Sequence, residues 1–456
     1  MEALTYLTYL GVLILIGLII TYFSDRMKIP NIFLLIVSGM LINFIVIKYA
    51  QVTHTTKIEF PVVFIASLSI LALVMIIFES TSKFKYKEFD DFSVYALKYS
   101  IIFLITNLIF FSAIVYLFLD ANNIFLAMVF AALMSGTSPD AVLYMLKDRT
   151  HKVLQFLKIE SIINTPLIVL FPFIILNIME KMEGEFVFTN IASQIIPFLQ
   201  QIASGIGAGL LIGLIILKLL RKIYSQTLGP LIIIASALLA FILAENIGGN
   251  GVLAVTTLGL MFGNVYVKQK EQLQEFSRIF SNFLEITVFI LIGVLIELPM
   301  NGLFYLKSIS LFIIYLGIRY ITINFTFKKE TFKLREKVFM TLSASKGISV
   351  AVVVALLLNI TLKLKGKETL FVNIPGGQEI LNYALAFILY SIIISTIAIK
   401  LSKYFIKRKV VVEEQIEIIK DKKNNVKKKG KREVKRIRKM KKLRKEIKVL
   451  KDKKKR

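Results

Sequence analysis

The sequence predicts an all-α polytopic membrane protein with about thirteen transmembrane helices. Of its 456 residues, 56% are apolar, and the mean hydropathy is +0.72, whereas soluble domains have about 45–50% apolar residues. The apolar residues form continuous runs long enough to cross a bilayer as helices, roughly 17–25 residues each. Continuous rather than alternating runs exclude a membrane barrel of β-strands. The composition also excludes a soluble enzyme with one core and a protein that binds nucleic acid along its whole length.

Taken in chain order, the apolar runs are 4–23, 31–48, 60–78, 94–119, 122–147, 152–178, 191–217, 228–245, 250–267, 277–296, 303–325, 338–360 and 379–405. We expect the first run to remain as a span, because it has no basic leader and no small-residue cleavage site. The connections are too short for a catalytic domain outside the membrane. The sequence therefore predicts a protein that acts within the membrane and is not an enzyme.

The basic residues between the runs predict the orientation of the chain. Loops after odd-numbered runs contain 19 Lys and Arg, and loops after even-numbered runs contain 7. Cytoplasmic loops carry the excess of positive residues. We therefore expect the N-terminus outside the cell and the C-terminal tail in the cytoplasm.

Four ionisable residues fall deep inside predicted spans, where an uncompensated charge is costly and usually functional. Asp140 and Glu160, in the fifth and sixth runs, lie at similar depths of about 10 and about 12 Å from the inner ends of their helices. Arg319 and Lys346 lie in the eleventh and twelfth runs. Three further carboxylates lie nearer span ends and are interpreted as interfacial: Glu79, Glu245 and Glu285.

Two runs are interrupted in mid-membrane. The fifth is broken by Gly136 and Pro139, and the twelfth by Ser345, Lys346 and Gly347. Broken helices at corresponding places in two halves indicate the substrate site of a secondary transporter. Because the two runs are seven apart, the halves would be inverted six-helix repeats joined by the seventh span. Two ordinary helix kinks are the alternative interpretation.

Oxygen-bearing side chains surround these breaks. Glu160 and Asn164 share one face of a helix at a spacing of four residues. The remaining ion-ligand candidates are Thr137, Ser138, Ser161 and Thr165. Carboxylate, amide and hydroxyl oxygens suit an alkali cation, while Arg319 and Lys346 can neutralise one carboxylate and leave another to titrate. The alternative is a purely structural network of buried ion pairs.

At these residues the chain resembles the monovalent cation–proton antiporters, in particular their sodium/proton (NhaP-like) branch. The resemblance covers about residues 1–405 and depends on an ordered set of motifs. These are SDRMKIPNIFLLIVSGMLI, IIFES, GTSPDAV, IESIINTP, LAENIGGNGVLAVTTLGLMFGN, FILIGVLIE, Arg319 and SASKGISVAVVVALL. It implies exchange of a monovalent cation for protons by alternating access, a homodimer and no cofactor.

The chain departs from this family at the acidic motifs. The family has Thr-Asp-Pro in the fifth span, where this chain has Thr137-Ser138-Pro139 followed by Asp140. Thr165 stands where the family has its exchanging aspartate, and a threonine cannot carry the proton. The family's pairing of the sixth-span glutamate with the eleventh-span arginine would occupy Glu160. We therefore expect Asp140 to exchange the proton, with Glu160 as the remaining candidate.

The resemblance also implies a division of the chain into a scaffold and a moving core. The expected parts are scaffold 1–90, core 91–185, linker helix 186–225, scaffold 226–300, core 301–405 and basic tail 406–456.

The tail concentrates the positive charge, with 25 Lys and Arg against 7 Asp and Glu over 407–456, in a chain of net charge +27. Such a segment is attracted to anionic lipid, and nucleic acid is the less favoured polyanion because no folded nucleic-acid-binding motif is present. With two His and no Cys in the chain, neither disulfides nor a transition-metal site is expected.

The sequence thus predicts an antiporter of the cell membrane exchanging Na⁺, or another monovalent cation, for H⁺. It leaves open K⁺ or Li⁺ as the cation and the stoichiometry. The less favoured alternatives are a cation channel and a homologue without transport that anchors its tail.

Overall fold

The computed structural model describes residues 2–27, 31–53, 62–85, 91–119, 123–138, 152–182, 189–222, 228–267, 269–295, 299, 301–327, 332–358, 360–364, 367–405 and 446. Two residues predicted for the site, Pro139 and Asp140, lie outside the described residues. The basic tail lies outside them as well, apart from Glu446.

The described chain is almost entirely helical, which confirms the predicted fold class. The helices of the first half are α1 (Glu2–Met27), α2 (Asn31–Thr53), α3 (Val62–Ser82), α4 (Asp91–Thr106), α5 (Ser112–Phe118), α6 (Ile124–Met134) and α7 (Lys152–Lys181). A π-helical turn, Asn107–Phe111, joins α4 to α5 without a break.

A long helix, α8 (Thr189–Lys222), precedes the second half. The helices that follow are α9 (Leu228–Asn246), α10 (Gly251–Asn264), α11 (Lys270–Leu295), α12 (Gly302–Thr326), α13 (Leu334–Leu342), α14 (Ile348–Leu357), α15 (Gly377–Lys400) and α16 (Ser402–Phe405).

One element was not expected from the sequence. Strands β1 (Thr361–Leu364) and β2 (Lys367–Leu370) pair in antiparallel register, with Thr361 opposite Leu370. A short 3-10 turn, Phe371–Asn373, then leads to α15. A two-stranded hairpin is hardly stable alone, and in this one Leu362 of β1 is buried against the rest of the protein.

Among the described residues, nine helical segments are long and apolar enough to cross a membrane. They are Leu7–Ser24, Phe64–Ser82, Val94–Phe118, Lys152–Glu180, Leu199–Leu220, Leu228–Asn246, Lys270–Val294, Gly302–Thr326 and Gly377–Lys400. The shorter apolar helices are Asn31–Val46, Ile124–Met134 and Gly251–Asn264. With α13 and α14, which overlap the run 338–360, each of the thirteen predicted runs contains helix, while the count of thirteen crossings stays a prediction.

Helix packing brings the residues of the predicted site together. Helix α6 packs against α7, and α4 packs against both α7 and α12. In another part of the molecule, α2 and α11 approach closely at Gly39 and Gly293, where a Cβ on Gly39 would lie 2.7 Å from Gly293 Cα. Small residues permit this close approach of two helices within a membrane.

Candidate functional site

Both predicted interruptions are present in the structure. Helix α6 ends at Met134, and Gly136–Ser138 has no regular secondary structure. Between α13 and α14, Ser343–Gly347 is likewise irregular. Irregular backbone within a membrane survives only where protein or enclosed water satisfies its polar groups.

The two interruptions form hydrogen bonds to each other, which satisfy some of their backbone polar groups. The backbone N–H of Ser138 donates to Ser345 O at 2.8 Å, and Ser345 Oγ donates to Ser138 O at 2.7 Å. A Cβ on Gly347 would lie 2.0 Å from Ser138 Cβ, so this crossing requires glycine. The breaks from the two halves of the chain are therefore in direct contact.

Glu160 and Arg319 form a buried ion pair beside the crossing. Arg319 Nη1 lies 2.9 Å from Glu160 Oε1, and Nη2 donates to Glu160 Oε2 at 3.1 Å. Both residues are 0% exposed. Arg319 also donates from Nη2 to the carbonyl oxygen of Met340, in the last turn of α13, at 3.3 Å. The contact predicted between Glu160 and Arg319 is thus present, and it joins α7 to α12 and α13.

Two polar side chains complete the surroundings of Glu160. Thr137 Oγ1 donates to Glu160 Oε1 at 2.8 Å. Asn164 Nδ2 lies 3.3 Å from Thr137 Oγ1 and 3.5 Å from Glu160 Oε1. The site therefore links the end of the broken α6 to one face of α7.

Aromatic rings from α4 cover the guanidinium of Arg319. The Arg319 Cζ lies 5.7 Å from the ring centroid of Tyr99 and 5.3 Å from that of Phe103. Both distances are within the range of cation–π attraction. Neither residue was predicted from the sequence, although their spacing of four puts them on one face of the fourth span.

Lys346, between α13 and α14, places its ammonium group at the C-terminal end of α6. Its Nζ donates to Met134 O, to Gly136 O at 2.8 Å and to Tyr315 Oη at 2.6 Å. The last carbonyls of a helix lack intrahelical partners and carry partial negative charge, which favours a cation there. Within the described residues, Lys346 is thus bound by neutral oxygens rather than by a carboxylate.

Two of the predicted ion ligands use their hydroxyls locally. Ser161 Oγ donates to Lys158 O at 2.9 Å, and Thr165 Oγ1 donates to Ser161 O at 2.8 Å. Both side chains are partly buried on α7. Hydroxyl lone pairs remain able to accept a ligand in this arrangement, so their role as ion ligands stays a prediction.

The order and geometry of these elements agree with a known family. The sequence profile described as "Sodium/hydrogen exchanger, transmembrane" matches residues 11–402. The chain belongs to the sodium/hydrogen exchanger family. It is thus a multi-pass membrane protein of a transporter family, and the resemblance stated from its motifs is confirmed.

Three of the proteins similar to this exchanger are named as cation/proton antiporters. The probable Na(+)/H(+) antiporter 2 of Methanocaldococcus jannaschii is 24% identical over 321 residues, which cover 66% of this chain and 71% of the relative. The K(+)/H(+) antiporter NhaP2 of Shewanella is 23% identical over 286 residues, or 60% of this chain and 46% of the relative. The low-affinity Na(+)/H(+) antiporter NhaS1 of Synechocystis is 30% identical over 141 residues, or 30% and 26%.

The fold of the exchanger is also that of a solved structure. The sodium proton antiporter MjNhaP1 from Methanocaldococcus jannaschii, determined at pH 8, superposes with a TM-score of 0.72. The match covers 87% of this chain and 97% of that one, at 18% sequence identity. At this identity the likeness establishes the shared fold.

Proposed function

We propose that the exchanger is a secondary active antiporter that exchanges Na⁺ for H⁺ across the cell membrane by alternating access. The observation that carries the proposal is the buried Glu160–Arg319 pair at the contact of two broken segments. Broken helices with charged groups between inverted repeats are typical of secondary transporters. The family and the name of the M. jannaschii relative support this choice.

K⁺ is the second candidate for the exchanged cation. The Shewanella relatives are named K(+)/H(+) antiporters, and oxygen ligands serve either ion. The oxygens proposed to contact the cation come from Thr137, Ser138, Ser161, Asn164 and Thr165.

The proposed proton carrier is Asp140, with Glu160 as the remaining candidate. Glu160 already accepts bonds from Arg319 and Thr137, which supports a structural role for it. The site also holds two cationic side chains, Arg319 and Lys346, and one carboxylate within the described residues. A second carboxylate from Asp140 would balance this charge, and its alternating occupation by H⁺ or Na⁺ would couple the two fluxes.

Alternating access requires one part of the molecule to move against another. In the proposed arrangement, segments 91–185 and 301–405 form the moving core, segments 1–90 and 226–300 form the scaffold, and segment 186–225 links the halves. The close contact of α2 with α11 at Gly39 and Gly293 supports a rigid scaffold. We further propose a homodimer, an external N-terminus, and a cytoplasmic tail, 406–456, attracted to anionic lipid rather than to nucleic acid.

The experiment that tests this proposal is cation-induced dissipation of a proton gradient in proteoliposomes, scanned over Na⁺, K⁺ and Li⁺. An antiporter dissipates the gradient only when a transported cation is added. A cation channel gives steady conductance without proton movement. A folded protein that moves no cation is the transport-silent alternative.

A further inference from the structure

The fourth span contains a π-helical turn that has no role in the proposed function. Asn107–Phe111 forms this turn between α4 and α5. Such turns are rare, and they occur frequently at functional sites. Asn107, the first residue of the turn, is fully buried, and its Nδ2 lies 3.0 Å from Ser135 Oγ.

The hydrogen bonds of Ser135 determine which way the amide of Asn107 points. Ser135 Oγ donates its single proton to Ala131 O at 2.9 Å. The hydroxyl must therefore accept from Asn107, so Nδ2 faces Ser135 and Oδ1 faces away from it. Asn107 Oδ1 is buried and has no hydrogen-bond partner within the described part of the chain. An unpaired buried acceptor lowers stability, and a native protein usually retains one for a bound ion, a water or a catalytic role.

The position of Ser135 connects this acceptor to the end of α6. Ser135 lies between Met134 and Gly136, and the carbonyl oxygens of these two residues already bind the ammonium group of Lys346. The end of α6 therefore attracts positive charge through uncharged oxygens. Asn107 contacts the same turn through Nδ2, and its Oδ1, on the other side of the amide, is a carbonyl oxygen without a partner among the described residues.

We propose that Asn107 determines cation selectivity in the exchanger. Its Oδ1 contacts the transported cation, or a water of the ion's hydration shell, as the ion passes the broken end of α6. Alkali cations are distinguished by the number and strength of the oxygen dipoles that replace their hydration water. This inference rests on the proposed antiport and adds to it a residue that neither the sequence motifs nor the ion pair identified.

The test compares Asn107→Leu, which removes the amide at similar volume, with the control Ser112→Ala. Ser112 Oγ donates to Leu108 O within the same π-helical region, so the control removes a polar group whose hydrogen bond stays within the fourth span. Apparent KM and maximal rate are measured for Na⁺, K⁺ and Li⁺ in proteoliposomes containing the full chain. We expect Asn107→Leu to change the ratio of the KM values for Na⁺ and K⁺ by about fivefold or more, the factor for one contact that is made to one of the two cations and not to the other. The control should retain the wild-type ratio.

A purely structural Asn107 would produce a different result. It would lower the maximal rate for all three cations equally and leave the KM ratio unchanged, and that result would overturn the inference. Should Asn107→Leu fail to fold, Asn107→Gln decides, because it keeps the amide and moves the oxygen by one methylene. A changed ratio in this variant supports the inference, and an unchanged ratio overturns it.

A second readout separates this inference from the proposed function. Cations that bind the folded protein raise its unfolding temperature with a midpoint that reports affinity. If the wild type exchanges no cation, the antiport proposal fails, and the stabilisation midpoints for Na⁺, K⁺ and Li⁺ then test Asn107. Altered relative midpoints in the Asn107 variant support selectivity at this residue. Unaltered midpoints, or no stabilisation of the wild type by any cation, overturn it.

Discussion

Glu160 is bound by residues from two separate parts of the chain. Thr137 donates to Oε1 at 2.8 Å from the broken end of α6. Arg319, on α12, contacts both carboxylate oxygens of Glu160. Removing one partner of a buried ion pair destabilises the protein, because the other charge stays buried without compensation. We therefore expect Glu160 and Arg319 to act as fixed charges that hold the core together.

Arg319→Ala should destabilise the exchanger by about 3–5 kcal/mol, since it leaves the carboxylate of Glu160 buried without a cation. The additional change Glu160→Gln should restore part of this loss because it removes the charge. Thermal unfolding of the purified variants measures both effects. The control is Arg278→Ala, which removes a surface pair with Glu275 whose side chains are 52% and 53% exposed. Normal stability of Arg319→Ala would mean that the pair does not hold the fold.

Asp140→Asn should abolish proton-coupled flux while changing the unfolding temperature by no more than about 2 °C. Asparagine keeps the size of the side chain and one oxygen but cannot exchange a proton. Glu160→Gln, measured in parallel, should chiefly lower stability. Flux with unchanged pH dependence in Asp140→Asn would transfer the proposed proton-carrying role to Glu160.

The residues of the site differ in how well the sequence predicts them. Glu160 and Arg319 could be paired in advance because a charge within a membrane demands a partner. Tyr99, Phe103 and Tyr315 could not be singled out, since the chain contains 36 Phe and 17 Tyr. Hydropathy alone does not distinguish an aromatic ring that faces lipid from one that covers a buried cation.

At the scale of elements, the crossing of two broken segments depends on backbone contacts. Ser138 and Ser345 exchange hydrogen bonds. The interruptions were predictable because Gly136, Pro139 and Gly347 disfavour a continuous helix. The π-helical turn was not predictable, since its sequence NLIFF is compatible with ordinary helix. The hairpin β1–β2 was missed because its short strands depend on tertiary support.

Gly347→Ala tests the crossing directly. The added Cβ would lie 2.0 Å from Ser138 Cβ, and such overpacking typically costs about 1–3 kcal/mol. We expect a lower unfolding temperature and slower exchange. Gly317→Ala on α12 is the matched control, because its Cβ would have no heavy atom within 4 Å. Equal behaviour of the two variants would show that the breaks do not need their close contact.

At the scale of the whole molecule, hydropathy and the ordered motifs gave the predictions that are confirmed, while the orientation taken from loop charge stays a prediction. The apolar runs predicted the helices, and the ordered motifs predicted the family that matches residues 11–402. The cation and the carrier of the proton could not be derived in the same way, because they depend on oxygen geometry and because Thr165 replaces the family's aspartate. The proposed function therefore depends on the coupling of cation movement to proton movement.

Coupled flux through the purified full chain in proteoliposomes tests this claim most directly. With an acidic interior reported by a pH-sensitive dye, external Na⁺ or K⁺ should dissipate the gradient in wild-type vesicles. Vesicles containing Asp140→Asn should behave as empty ones do. A cation conductance without proton movement, or no response of the folded wild type to Na⁺, K⁺ or Li⁺, would contradict the account.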